Sequence, residues 1–95
     1  MTLEEVLQSG NYALIDVREP MELEMDRDID RAENIPLGEV EDRKDEILSI
    51  EKPVVLFCRS GNRSGKALDF LNNEGLKDGY NGGGWAELKE KIENI

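Results

Sequence analysis

The run Pro53-Val54-Val55-Leu56-Phe57-Cys58 constrains the fold more than any other stretch of this chain. From Val54 to Cys58 it is apolar at odd and even positions alike, so a strand here has two faces to bury and none to wet. Such a strand belongs in the middle of a parallel sheet covered on both sides. Tyr12-Ala13-Leu14-Ile15, closed by Asp16, reads as a second buried strand. Ala32 to Asn34 predicts a brief strand and Gly79-Tyr80-Asn81 a last short one, with Gly82-Gly83-Gly84 a turn after it.

Between these runs the pattern is helical. Thr2 and Glu5 form a capping-box pair ahead of Leu3, Val6 and Leu7, and the opening helix should stop near Gly10. Pro20 suits the first turn of a short helix to Met25. The charged segment Asp26-Arg27-Asp28-Ile29-Asp30-Arg31 is expected as a solvated loop with Ile29 its only apolar anchor. Residues Leu37 to Ile50 predict a helical or partly helical crossover, with its acids from Glu39 to Glu46 on a solvated face. Ala67, Leu68 and Leu71 share one face of a helix between Ser64 and Gly75, where Gly75 can take the left-handed cap conformation. Trp85, Leu88 and Ile92 line a closing helix. The expectation is one domain over residues 1–95: an open, mostly parallel α/β sheet of about five strands with helices on both faces. Ligands of such sheets bind beyond the carboxyl ends of the strands, where Asp16, Arg18, Cys58 and Asn81 should project.

Charge and residue usage narrow the chemistry. With 22 acidic against 12 basic residues the formal net charge is -10, which disfavours nucleic acid and anionic membrane as partners. The chain has no histidine, so Ser-His-Asp and Cys-His nucleophile pairs and histidine-bearing metal sites are excluded. Its one cysteine cannot form an intramolecular disulfide, and a lone thiol fits a reducing compartment. The opening residues lack a basic stretch followed by an apolar one, and the longest apolar run, Val54 to Cys58, is far too short to span a bilayer. The expected location is cytoplasmic.

That one cysteine ends the central strand and opens the segment Cys58-Arg59-Ser60-Gly61-Asn62-Arg63, a loop before the next helix. A glycine-containing loop can curl so that its backbone N–H groups converge, and convergent donors, the helix's positive end, Arg59 and Arg63 together depress a thiol's pKa without any histidine. From Cys58 to Lys66 there is no acid, in a strongly acidic chain. Taken alone, Cys58 reads more readily as a small buried hydrophobe; the cationic, glycine-bearing loop reverses this in favour of a reactive thiolate.

Four stretches resemble the rhodanese family, in the family's order over nearly the whole chain: Leu14-Ile15-Asp16-Val17-Arg18-Glu19-Pro20; Asn34-Ile35-Pro36-Leu37-Gly38; Pro53 through Ser64; and Tyr80-Asn81 leading to Gly83-Gly84-Trp85. The resemblance implies a rhodanese-like sulfurtransferase. Cys58 would attack a sulfane sulfur donor such as thiosulfate, a small anion, and hold the sulfur as a persulfide until cyanide or a thiol removes it. The loop Arg59, Ser60, Gly61, Asn62, Arg63 and Ser64 would bind donor and persulfide, Asp16 would brace it, and Arg18 would lie nearby, with no metal or organic cofactor. Bland alternatives stand beside these roles: Asp16 as a cap, Arg18 as a surface arginine, Arg63 turned away onto an acid of the scaffold, Trp85 packed in the core. The resemblance also bears on the rival cysteine chemistries, phosphatase and arsenate reductase. Cysteine-dependent phosphatases place their arginine six positions after the cysteine, whereas here position 63 is arginine and 64 serine, a smaller ring suited to a terminal sulfur. A module that delivers or senses sulfur through a protein acceptor is the other alternative. Many relatives carry a histidine and two glycines where this chain has Arg27-Asp28-Ile29-Asp30-Arg31-Ala32, which leaves that loop's path and its effect on access open.

Overall fold

The computed structural model describes residues 1–25 and 29–95. Asp26, Arg27 and Asp28, the first half of the charged segment 26–31, lie outside the described residues, and with them the start of the stretch that departs from the family pattern. Four strands are described, β1 (Ala13–Asp16), β2 (Glu33–Asn34), β3 (Val54–Cys58) and β4 (Gly79–Gly84), within one of the number expected. They form one parallel sheet in the order β2-β1-β3-β4. The chain leaves β1 toward one edge and β3 toward the other, so the switch point of the topology falls between the carboxyl ends of β1 and β3.

All five residues of β3 are buried, as its two apolar faces demand. Val54, Leu56 and Cys58 point into a core shared with Ile15, Val17, Ile35, Val40, Ile47, Ala67 and Leu71. Val55 and Phe57 point into the opposite core with Val6, Leu7, Tyr12, Leu14, Ile29 and Leu88. The first core is covered by α3 (Leu37–Val40), α4 (Lys44–Leu48) and α5 (Asn62–Asn73), the second by α1 (Leu3–Ser9) and α6 (Trp85–Glu93). The crossover from 37 to 50 is thus partly helical, broken into two short pieces. A sixth helix, α2 (Pro20–Met25), follows β1 and buries none of its residues.

Local signals act where the sequence puts them. The Thr2–Glu5 capping box makes both of its bonds, and Gly10 ends α1 with φ +73°. Beyond α5, Gly75 takes φ +111°, its N–H donating to the Asn72 carbonyl and that of Leu76 to the Leu71 carbonyl, the paired bonds of a Schellman stop.

Two expectations are corrected. Gly82, Gly83 and Gly84 do not form a turn; they continue β4. Leu56 pairs with Asn81 and Phe57 with Gly83, so Gly82 is the extra residue of a β-bulge. A Cβ on Gly82 would lie 2.9 Å from both Val55 and Leu88 side-chain carbons, and one on Gly84 would lie 2.7 Å from the Arg59 carbonyl oxygen. The glycines are there for close approach of strand to neighbours. The second correction concerns the cysteine loop: α5 begins at Asn62, so Asn62 and Arg63 form its first turn and only Arg59, Ser60 and Gly61 lie between strand and helix. Gly61, at φ +95°, makes this abrupt strand-to-helix reversal, a conformation that side chains disfavour.

Candidate active site

Cys58 ends β3 at the switch point, one residue past the position where β3 pairs with Asp16 of β1. The three-residue reversal brings the start of α5 back over its sulfur. The Gly61 N–H donates to Cys58 Sγ at 3.0 Å, and Ser64 Oγ stands 3.5 Å from it. No acid lies in the first turn of α5, so the helix's positive end meets the sulfur unopposed from within the helix. Burial pushes the Cys58 thiol up, but the Ser64 hydroxyl and the N–H groups of Ser64, Ser60 and Gly61 outweigh it and hold the thiol below its ordinary value. The residue is 1% exposed, so only a slender group can reach the sulfur.

The loop arginines diverge. The Arg59 side chain is exposed and makes no hydrogen bond or ion pair among the described residues. Arg63 turns to α2, where both terminal nitrogens donate to the Glu22 carboxylate at 2.7 and 2.8 Å. Glu22 also accepts from the Glu19 N–H at 2.8 Å. The Arg63 guanidinium, chiefly, brings the Glu22 carboxyl down to about 2. Ser60 and Asn62 are exposed on the rim, and Ser64 is buried under the sulfur.

Asp16 and Arg18 sit beside the loop, both 0% exposed. Arg18 Nε and Nη2 donate to the Asp16 carboxylate at 2.7 to 3.1 Å, and the Arg18 backbone N–H donates to Asp16 Oδ1 at 2.9 Å. Burial overturns the reading of Arg18 as a surface residue. It also takes Asp16 out of reach of a substrate. The pair closes a tight turn at the end of β1, and Asn34 Nδ2 secures that turn by donating to the carbonyls of Asp16 and Arg18, each at 2.9 Å. The Arg18 guanidinium lies 5.3 Å from the ring centre of the half-buried Trp85, a cation–π contact joining the turn to α6.

Three residues of this neighbourhood had no assigned role. Asn34 and Glu22 carry no local signal, because each acts on a group far along the chain. Asn81 was expected at the carboxyl end of its strand, yet only the fold shows that it grips the cysteine loop: Nδ2 donates to the Gly61 carbonyl at 3.1 Å, while Oδ1 accepts from the Ser64 hydroxyl at 2.7 Å and the Gly83 N–H at 3.0 Å. Among the described residues no cluster of three or more His, Cys, Asp or Glu side chains could hold a metal ion, and no helix is long and apolar enough to cross a membrane.

Comparison with known proteins bears on the family and the fold. A family model described as the rhodanese-like domain matches residues 2–91. Over 81 residues the chain is 44% identical to the uncharacterized protein YqhL of Bacillus subtilis strain 168, an alignment covering 84% of this chain and 63% of that protein. The chain thus spans less than two thirds of the length of the curated relatives it matches. The human single-domain sulfurtransferase TSTD1 is similar with a TM-score of 0.70 and 30% identity, over 96% of this chain and 95% of that one. A rhodanese with anions from E. coli gives a TM-score of 0.69 and 30% identity, over 80% and 89% of the two chains.

Proposed function

The chain belongs to the rhodanese-like domain family, and on that premise we propose that it is a sulfurtransferase whose Cys58 takes a sulfane sulfur from thiosulfate or a persulfide donor. The observation that carries this reading is the sulfur itself: a free cysteine at the mouth of a helix, met at 3.0 Å by a backbone N–H, its pKa held below the ordinary thiol value.

The Cys58 thiolate attacks the outer sulfur of thiosulfate. A new S–S bond forms as the old one breaks, and sulfite departs with the electron pair. The persulfide's terminal sulfur, now anionic, lies among the N–H groups that stabilise the thiolate. An acceptor thiolate or cyanide then attacks that outer sulfur and releases Cys58 as thiolate. Arg59, exposed and without an ion pair among the described residues, draws in the anionic donor. Arg63 contributes through Glu22, fixing the first turn of α5 to α2. The Asp16–Arg18 pair braces the adjoining turn. The E. coli rhodanese to which the chain is similar is one described with anions, in keeping with an anionic donor. A lone thiol is more at home in a reducing compartment such as the cytoplasm.

Incubation with thiosulfate followed by intact mass spectrometry tests the reading. The expected result is a gain of one sulfur atom, removable by cyanide and absent in Cys58→Ser. A protein that gains no cyanide-labile sulfur is not this enzyme. Turnover of para-nitrophenyl phosphate would instead favour the phosphatase alternative, and discharge of the sulfur only to one protein would assign the chain a carrier's role.

A further inference from the structure

The Ser64 hydroxyl has a single proton and two neighbours that can take it. One is Cys58 Sγ at 3.5 Å, the other Asn81 Oδ1 at 2.7 Å. The orientation of the Asn81 amide is fixed by two backbone groups whose roles cannot be exchanged: the Gly83 N–H can only donate and the Gly61 carbonyl can only accept. The atom facing Ser64 is therefore the amide oxygen, a pure acceptor. At 2.7 Å Ser64 must be giving its proton to Asn81, and the sulfur meets the lone pairs of Oγ. That arrangement suits a thiol, which donates S–H to Ser64 in a chain running Cys58, Ser64, Asn81. It does not suit a thiolate, which needs the hydroxyl proton turned toward it.

We propose that Asn81 is a positioning residue: its amide oxygen holds the Ser64 hydroxyl away from Cys58 while the sulfur is protonated, and competes with the sulfur for that hydroxyl once the thiolate forms. On ionisation the Cys58 proton leaves to solvent, the Ser64 hydroxyl rotates without losing its own, and Asn81 Oδ1 keeps only the Gly83 N–H. Asn81 thereby sets how readily the resting thiol becomes nucleophile and how readily the sulfur returns to rest after the persulfide is discharged. The proposal rests on Cys58 being the nucleophile. The charged groups around the sulfur are Arg59 beside it, Arg63 and Lys66 on α5, Glu22 on α2, the Asp16–Arg18 pair after β1, and Glu87 of α6, whose carboxylate lies beside Gly84. All are common to the proteins compared below.

The test is the pH midpoint of Cys58 alkylation by iodoacetamide in four full-length proteins: the natural chain, Asn81→Leu, Ser64→Ala, and the double variant. Losing the Asn81 bond to the Gly61 carbonyl affects both backgrounds equally and cancels. Releasing Ser64 is possible only where Ser64 is present. The midpoint should therefore fall by about half to one unit further when Asn81→Leu is made in the natural chain than when it is made in Ser64→Ala, the worth of one hydrogen bond. An equal displacement in both backgrounds, or a difference of opposite sign, overturns the proposal and leaves Asn81 a loop clamp. Asn81→Ala repeats the cycle without a large apolar side chain at this exposed position. No sulfur donor is present, so the titration is decided independently of whether the protein takes sulfur from thiosulfate.

Discussion

Two arginine–carboxylate forks flank the cysteine loop, and their chemistry is the same while their settings differ. Asp16–Arg18 is 0% exposed at both ends and spans two residues of sequence. Arg63–Glu22 spans 41 residues and is 31% and 23% exposed. In the first, both charges have left water, and each depends on the other and on surrounding bonds for its solvation. In the second, water screens the attraction, and its worth to stability is small. The buried fork is an internal brace with a large penalty for halving it. The rim fork instead decides where a loop cation points.

The largest expected effect comes from breaking the buried fork. Arg18→Ala leaves the Asp16 carboxylate buried without its counter-charge and should cost about 3–5 kcal/mol of stability, read from urea denaturation. Asp16→Ala should cost about as much. Replacing both with apolar residues should recover much of the loss, since a buried ion pair and a packed apolar pair differ little in net stability. A double variant no more stable than either single one would mean that the turn, with its Asn34 bonds, depends on the charges themselves.

Next in size is the division of labour between the loop arginines. Arg59→Gln should raise KM for thiosulfate roughly tenfold, about 1.4 kcal/mol, and flatten the response of KM to added salt. Arg63→Gln should change KM less, because its guanidinium already has a carboxylate. The comparison sharpens in a Glu22→Gln background. There Arg63 is released toward the donor, and removing it should then matter as much as removing Arg59. Equal effects of the two arginines in the natural chain would show that the Glu22 fork opens when donor arrives.

Much of this arrangement was legible in the sequence where the cause is local. The two buried faces of β3 followed from an unbroken apolar run, the α1 start from a capping box three residues wide, and the α5 stop from a glycine at the left-handed position. What escaped is non-local or hidden in glycine. Gly82 and Gly84 look like turn residues because nothing in the sequence tells a glycine chosen for conformation from one chosen because Val55, Leu88 or the Arg59 carbonyl leaves no room for a Cβ. Arg18 looked as much a surface arginine as a site residue, since charged residues after a strand usually are solvated, and its burial depends on Asp16, Asn34 and Trp85 converging from three elements. Glu22 looked like any acid on an exposed helix until the fold brought Arg63 to it. Residues 58 to 64 point to the candidate nucleophile and the family resemblance to Asp16 and Arg18 beside it; Glu22, Asn34 and the grip of Asn81 needed the fold.

The smallest effect isolates the rim fork by pH. The Glu22 carboxyl, chiefly through Arg63, is held at about 2 in the folded protein, below its ordinary value of 4.5. Between those two values the unfolded chain binds a proton at this position and the folded chain does not. Stability from the fork is therefore complete above about pH 4.5 and is lost as pH falls toward 2. Because the fork is partly exposed and screened, the amount lost should be about 1 kcal/mol or less, and smaller still in high salt. Glu22→Gln should lower stability by that small amount at neutral pH and converge with the natural chain at the acid end of the window. The check is chemical denaturation of both proteins at a series of pH values from neutrality downward, at two salt concentrations. Parallel curves that never converge would assign the Glu22 contribution to its packing and its bond from the Glu19 N–H, leaving the charge of the fork only its steering of Arg63.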